Sequence, residues 1–168
     1  ITGSVGKTGT KEMLATAFAS QGQTHASIKS YNNHWGVPFT LSNMHPGTDY
    51  GVFEMGMSHA NEITPLSQMV KPDISIITTI APVHIGNFEH GIDGIVSAKA
   101  EIFDGMKAGS VAILNADIEP FETLKQRAEG KGIIVHSFGE TKDADATILD
   151  CLEAANGTRV TAEILGEK

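Results

Sequence analysis

The residues of this chain best suited to chemistry come first. Gly3-Ser4-Val5-Gly6-Lys7-Thr8-Gly9 is a glycine-rich turn carrying Gly-Lys-Thr. Glycines let a backbone turn tightly and approach a phosphate closely. A lysine at Lys7 supplies positive charge to the outer phosphates, and the Thr8 hydroxyl is a hard oxygen ligand for magnesium. The pattern is the short form G-x-x-G-K-T, because Ile1 stands where the longer phosphate-loop pattern begins with glycine.

Further candidates lie downstream. Glu54 closes the apolar run Val52-Phe53, and His84 follows the Ile- and Thr-rich run that ends at Ile80. A carboxylate at a strand end beside a phosphate loop is where nucleotide hydrolases keep a magnesium ligand. Taken singly, Glu54 reads as a solvated strand end and His84 as a hydrogen-bonded loop histidine. Placed together beside the loop, both read as metal ligands. Asn32 and Asn33 precede His34-Trp35-Gly36 and have the composition of a turn; their amides could also orient a phosphate or carboxylate. Trp35 reads as a packing anchor. Lys99 falls on or near the apolar face of its helix. It is either a lysine snorkelling from the core edge or an amine made partly neutral by burial, and a neutral amine can capture carbon dioxide as a carbamate.

These residues need a scaffold that brings strand ends together. A helix is expected over 11–21, with Met13, Leu14, Ala17 and Phe18 on one face and Gly22 as its stop. Its N-terminal dipole and free amides would face the phosphate. Residues 23–50 read as a polar, turn-rich segment. Strands are expected over 51–55, 73–80, 110–114 and 132–138, with helices over 62–70, 92–106 and 118–128. Apolar strands alternating with helices predict an α/β domain, a mostly parallel sheet with helices on both faces. Ligands of such sheets bind at the carboxyl ends of the strands. Residues 146–152 and 158–165 flank Asn156-Gly157 and predict a small antiparallel C-terminal hairpin.

Composition narrows the function. The chain has 168 residues, enough for one domain with a core, and a net charge of −8, which argues against a nucleic-acid surface. No apolar run is long enough for a membrane span. Its one cysteine, Cys151, rules out an internal disulfide and fits a reducing, cytoplasmic setting.

The segments Thr2–Leu14, Tyr31–Leu41 (Y-N-N-H-W-G-V-P-F-T-L), Phe53–Ile63 (F-E-M-G-M-S-H-A-N-E-I), Pro82–His84 and Ala98–Phe103 (A-K-A-E-I-F) occur in this order. Together they resemble the central ATP-binding domain of the bacterial Mur ligases, over residues 1 to about 139. Within that family they are most similar to the members that add D-alanyl-D-alanine to UDP-N-acetylmuramoyl-tripeptide. The shortened phosphate loop is usual there.

The resemblance implies an ATP-dependent amide ligase of peptidoglycan precursor synthesis, acting through an acyl phosphate. It implies that residues 3–9 hold ATP, with Lys7 on the outer phosphates. Thr8 and Glu54 would hold one Mg2+; His84 and a carbamylated Lys99 would serve a second. Lys7, Glu54, His84 and Lys99 would be the catalytic set, with Asn32 and Asn33 near the acceptor substrate. The chain is expected to be part of a longer enzyme, with a UDP-binding domain before it and a further domain after it, and to be inactive alone. Gly9, Asn61 and residues 85–91 depart from the usual pattern. Two other readings remain: a folylpolyglutamate synthase-like ligase, and a phosphate-loop module that hydrolyses nucleotide without joining substrates.

Overall fold

A computed structural model describes residues 1–83 and 85–167. In chain order the elements are α1 (Lys7–Ala19), β1 (Thr24–Ala26), α2 (Gly36–Ser42), β2 (Tyr50–Val52), α3 (Ile63–Val70), β3 (Ile74–Ile77), α4 (Gly91–Ala100), β4 (Val111–Asn115), α5 (Phe121–Glu129), β5 (Ile134–Gly139), β6 (Ala146–Ala154) and β7 (Gly157–Ile164). Short 3-10 turns cover Ile85–Asn87 and Glu101–Gly105.

Strands β3-β4-β5-β6-β7 form one sheet and β1-β2 a smaller one. All pairings are parallel except β6 with β7. The first two residues bridge the two sheets. Ile1 N donates to Phe53 O at 2.7 Å, and Met55 N donates to Ile1 O at 2.8 Å. On the other side Thr2 N donates to Ile76 O at 2.9 Å, and Thr78 N donates to Thr2 O at 3.0 Å. Ile1 and Thr2 thus occupy a parallel strand position between β2 and β3. The phosphate loop leaves the sheet at its middle, beside the ends of both neighbours.

The core explains the layering. Strand β4 buries Ala112 and Leu114 fully and half-buries the alternate residues, as a sheet covered on both faces requires. Val37, Phe53, Met55, Ile63, Leu66, Ile77, Val96, Ile102, Phe103 and Leu124 complete one continuous cluster. The C-terminal hairpin is different. Only Phe138–Gly139 of β5 pairs with Ala146–Thr147, so β6 and β7 run on past the carboxyl edge of the sheet, largely exposed.

Several expectations change in detail. Segment 23–50 is not merely turns: it holds β1 and α2. Its strand is three residues long, and α2 places Pro38 in its first turn, where the missing N–H costs nothing. The helix at 92–106 ends at Ala100 and tightens into the 3-10 turn. The hairpin turn falls one residue early, since Ala154 pairs with Gly157. The expected apolar face of α1 is not buried: Met13 is 68% exposed, and Phe18 instead stacks on Tyr50 at 4.6 Å. Trp35 is 76% exposed and is no packing anchor; it lies tilted against His34.

Candidate functional site

Helix α1 begins at Lys7, so the phosphate loop opens directly into it. Gly3 takes φ 147° and Gly6 φ 85°, conformations that side chains rarely adopt. At Gly3 the space is also missing: a Cβ there would lie 1.9 Å from Thr78 Oγ1. Thr78 needs that place, because its hydroxyl donates to Val5 O at 2.6 Å and braces the loop. Ser4 ties the loop to the next strand end, its Oγ donating to Ala81 O at 3.0 Å and accepting from Ala81 N at 2.9 Å. Lys7 Nζ lies back over the loop on Gly3 O at 2.9 Å.

Glu54 is 1% exposed, not a solvated strand end. Both its oxygens are engaged: Thr8 Oγ1 donates to Oε2 at 2.8 Å, and Asn32 Nδ2 donates to Oε1 at 2.7 Å. Asn32 reaches it because Gly56 has no side chain; a Cβ at Gly56 would stand 2.9 Å from the Asn32 amide group. Gly56 N also donates to Asn32 O at 2.8 Å. Asn33 differs from its neighbour. Its Oδ1 accepts from the backbone N–H groups of Trp35 (3.1 Å) and Gly36 (2.9 Å), bracing the entry to α2. The turn role read from composition is therefore real for Asn33, which also lines the pocket.

That pocket has a volume of about 270 Å³, and Gly3, Ser4, Lys7, Asn32, Asn33 and Lys99 are among its lining residues. Lys99 is 3% exposed. Burial, with the Lys7 ammonium nearby, lowers its pKa from 10.5 to about 8. The snorkelling alternative fails, because Lys99 is buried at the pocket and does not run out along the surface. A smaller cavity of about 220 Å³ continues past Asn33, Gly56 and Glu62 toward Pro65 and Leu66. Glu62, on the wall between them, accepts from Ser58 N at 2.6 Å and His59 N at 3.2 Å. The Ser58 amide chiefly holds its carboxyl below the usual range. Val5, Gly6 and Gly9 are exposed at the loop and helix start. His84 lies outside the described residues.

Among the described residues no group of three or more His, Cys, Asp or Glu side chains is gathered as a metal cage. Magnesium does not need one. It takes one or two protein oxygens and completes its shell with water and substrate phosphate. Thr8 Oγ1 and Glu54 Oε2, adjoining the phosphate loop, have the right chemistry for such a site. For a second metal the pocket wall offers Lys99, a ligand only once its amine carries a carboxyl group.

Sequence reasoning missed two residues here. Lys11 has no exposed surface. Its one signal is its place three residues after Thr8, on the same side of α1. Glu101 accepts from Asn61 N (2.6 Å), Ile63 N (3.0 Å) and Thr64 N (3.0 Å), satisfying the free amides at the start of α3. These bonds hold the 3-10 turn that follows α4 against the start of α3, where Asn61 lines the smaller cavity. Asn61, one of the departures from the family pattern, has φ 67°. Glycine adopts that conformation freely and asparagine tolerates it better than most residues.

The chain is similar to known proteins over nearly its whole length. The family model described as the Mur ligase middle domain matches residues 1–165. A protein of Rickettsia prowazekii named UDP-N-acetylmuramoyl-tripeptide–D-alanyl-D-alanine ligase is 36% identical over 150 residues, covering 89% of this chain and 33% of the relative. One of the same name from Bacillus subtilis is 35% identical over 161 residues, covering 96% of this chain and 34% of the relative. The crystal structure of MurF from Acinetobacter baumannii superposes with a TM-score of 0.84 at 30% identity, over 96% of this chain and 37% of that one. The chain therefore spans about a third of the length of these relatives.

Proposed function

We infer the function from membership: the chain belongs to the Mur ligase middle-domain family, matched over residues 1–165. On that premise it is the nucleotide-binding middle domain of a longer ATP-dependent amide ligase. The reaction is the joining of D-alanyl-D-alanine to UDP-N-acetylmuramoyl-tripeptide, the activity named for the relatives. A place in the cytoplasm follows from those substrates. The observation that carries the reading is the meeting of Thr8, Glu54 and Asn32 at the mouth of the phosphate loop, with Lys7 and Lys99 lining one pocket.

The chemistry proceeds in two displacements. A carboxylate oxygen of the tripeptide attacks the γ-phosphorus of ATP, the bond to the ADP oxygen breaks, and ADP leaves. The amine nitrogen of the dipeptide then attacks the acyl carbon. The amide forms, the amine loses a proton, and inorganic phosphate departs. The loop amides and the Lys7 ammonium hold the phosphates and offset the charge gathered on them. Asn32 fixes the Glu54 carboxylate, and Asn33 stands on the acceptor side. Mg2+ held by Thr8 and Glu54 would supply charge compensation between two anions that otherwise repel, and His84 with a carbamylated Lys99 would hold a second ion in the same service.

A phosphate-loop module that only hydrolyses nucleotide has no need of a buried lysine in its pocket, which favours the ligase. The test supplies the longer protein with tripeptide nucleotide, D-alanyl-D-alanine, Mg2+ and ATP. Amide, ADP and phosphate in equal amounts are expected. ADP and phosphate released without amide would identify the hydrolase instead. The isolated 168-residue chain should form no amide, because it cannot hold both substrates at high effective concentration.

A further inference from the structure

We propose that Lys11 is a positioning residue that orients Asn32, and through it the Glu54 carboxylate, by clamping residues 27–29 to α1; this rests on the functional reading above. Lys11 is 0% exposed. Its Nζ donates to Ser27 O at 2.6 Å and to Lys29 O, and it pairs with Glu12 Oε1 at 2.8 Å. Lys29 sits at φ 50°, an unfavourable conformation for a side-chain-bearing residue, and the captured carbonyl belongs to it.

The clamped segment reaches Glu54 by two routes. Ser27 N donates to Val52 O at 3.1 Å, and Ser27 Oγ accepts from Glu54 N at 3.3 Å. Five residues later, Asn32 donates to the Glu54 carboxylate and accepts from Gly56 N. Thr8 holds the other carboxylate oxygen from α1 itself. The result is a closed ring: α1, Thr8, Glu54, Asn32, residues 27–29, Lys11 and α1 again. Stability alone is a poor reason for a buried ammonium, since an apolar side chain of similar size avoids its desolvation cost. Two fixed points on one helix face do explain it. They set the carboxylate in register with the phosphate loop.

The test compares Lys11→Met and Lys11→Gln with the parent, all in the longer protein that carries this domain. The first readout is amide hydrogen exchange at Glu54 and Gly56, whose N–H groups are held by Ser27 and Asn32. Both should exchange at least about tenfold faster in Lys11→Met, while the Leu114 amide in the core keeps its rate. The second is the Mg2+ concentration giving half-maximal ATP-dependent turnover. It should rise by about tenfold or more, the usual effect of losing a partner of a metal ligand, while KM for ATP at saturating Mg2+ moves less than about threefold. Lys11→Gln, which keeps a donor, should fall between.

If Lys11→Met does not fold, Lys11→Gln in an Asn32→Ala background decides. A clamp acting through Asn32 adds less than about twofold to the Mg2+ midpoint there, whereas independent effects multiply. Unchanged exchange at Glu54 and Gly56, an unchanged midpoint, or full multiplication would overturn the proposal. A parent protein with no Mg2+-dependent turnover would overturn the functional reading instead, and the exchange rates would then decide the clamp by themselves.

Discussion

The Thr8 hydroxyl and the Glu54 carboxylate, 46 residues apart in sequence, meet at 2.8 Å. One opens the helix after the phosphate loop and the other closes a neighbouring strand, so the parallel sheet itself brings them together. Under the proposed function this places two oxygen ligands beside the phosphates before ATP arrives, the preorganisation that electrostatic catalysis depends on.

That arrangement predicts a separation of activity from stability at Glu54. Glu54→Gln keeps the shape but lacks the charge, and its single carbonyl oxygen can accept from Thr8 or from Asn32 but not from both. Turnover of the whole enzyme should fall by about a hundredfold or more, while unfolding stays cooperative and stability drops by only about 1–3 kcal/mol, the cost of one lost buried hydrogen bond. A variant with near-normal turnover would remove Glu54 from the metal site.

Lys7 is half-buried at the pocket and bonds only loop carbonyls, so the fold does not rest on it. Lys7→Ala should abolish ligation while circular dichroism and thermal unfolding stay those of the parent. Loss of the fold together with activity would show that the lysine is structural.

Gly3 is fixed by both conformation and space. Gly3→Ala meets Thr78 Oγ1 at 1.9 Å and adds strain at φ 147°. It should cost about 1–3 kcal/mol of stability, read by chemical denaturation. Pairing it with Thr78→Ala should recover part of that loss. No recovery would place the defect elsewhere.

For Lys99 the pH dependence has a definite sign. Its ammonium is disfavoured in the folded state, where the pKa is about 8 against 10.5 in the unfolded chain. The unfolded state therefore binds more protons between these values, and stability rises with pH across that window. Below about pH 8 the penalty is fully present. Lys99→Met should accordingly be more stable than the parent at pH 7, with the advantage shrinking steadily toward pH 10.5. A constant difference in melting temperature from pH 7 to 10 would contradict it. In the whole enzyme Lys99→Ala should cripple ligation, and a short-chain carboxylic acid should partly restore it by replacing a carbamate.

Much of this site was legible in the chain itself. The Gly3–Thr8 loop, the α/β alternation and the strand-end position of Glu54 follow from local residue types. Lys99 followed only in part, because periodicity puts a lysine on an apolar face without saying whether the amine meets solvent or a pocket. Long-range satisfaction of backbone groups was not legible. Lys11 and Glu101 hold amides and carbonyls from segments distant in sequence, and no local pattern announces them. Trp35 shows the same limit: its residue type predicts burial, but tertiary packing leaves it exposed.

The most direct measurement follows oxygen. The tripeptide substrate is labelled with 18O in its reacting carboxylate and incubated with the whole enzyme, ATP, Mg2+ and D-alanyl-D-alanine. If this domain activates the carboxylate by phosphoryl transfer at the Lys7 loop, the inorganic phosphate released carries one labelled oxygen from the substrate, and Lys7→Ala forms no labelled phosphate. Amide formed alongside unlabelled phosphate would contradict the account, because it would mean that the γ-phosphoryl group never passed through the substrate.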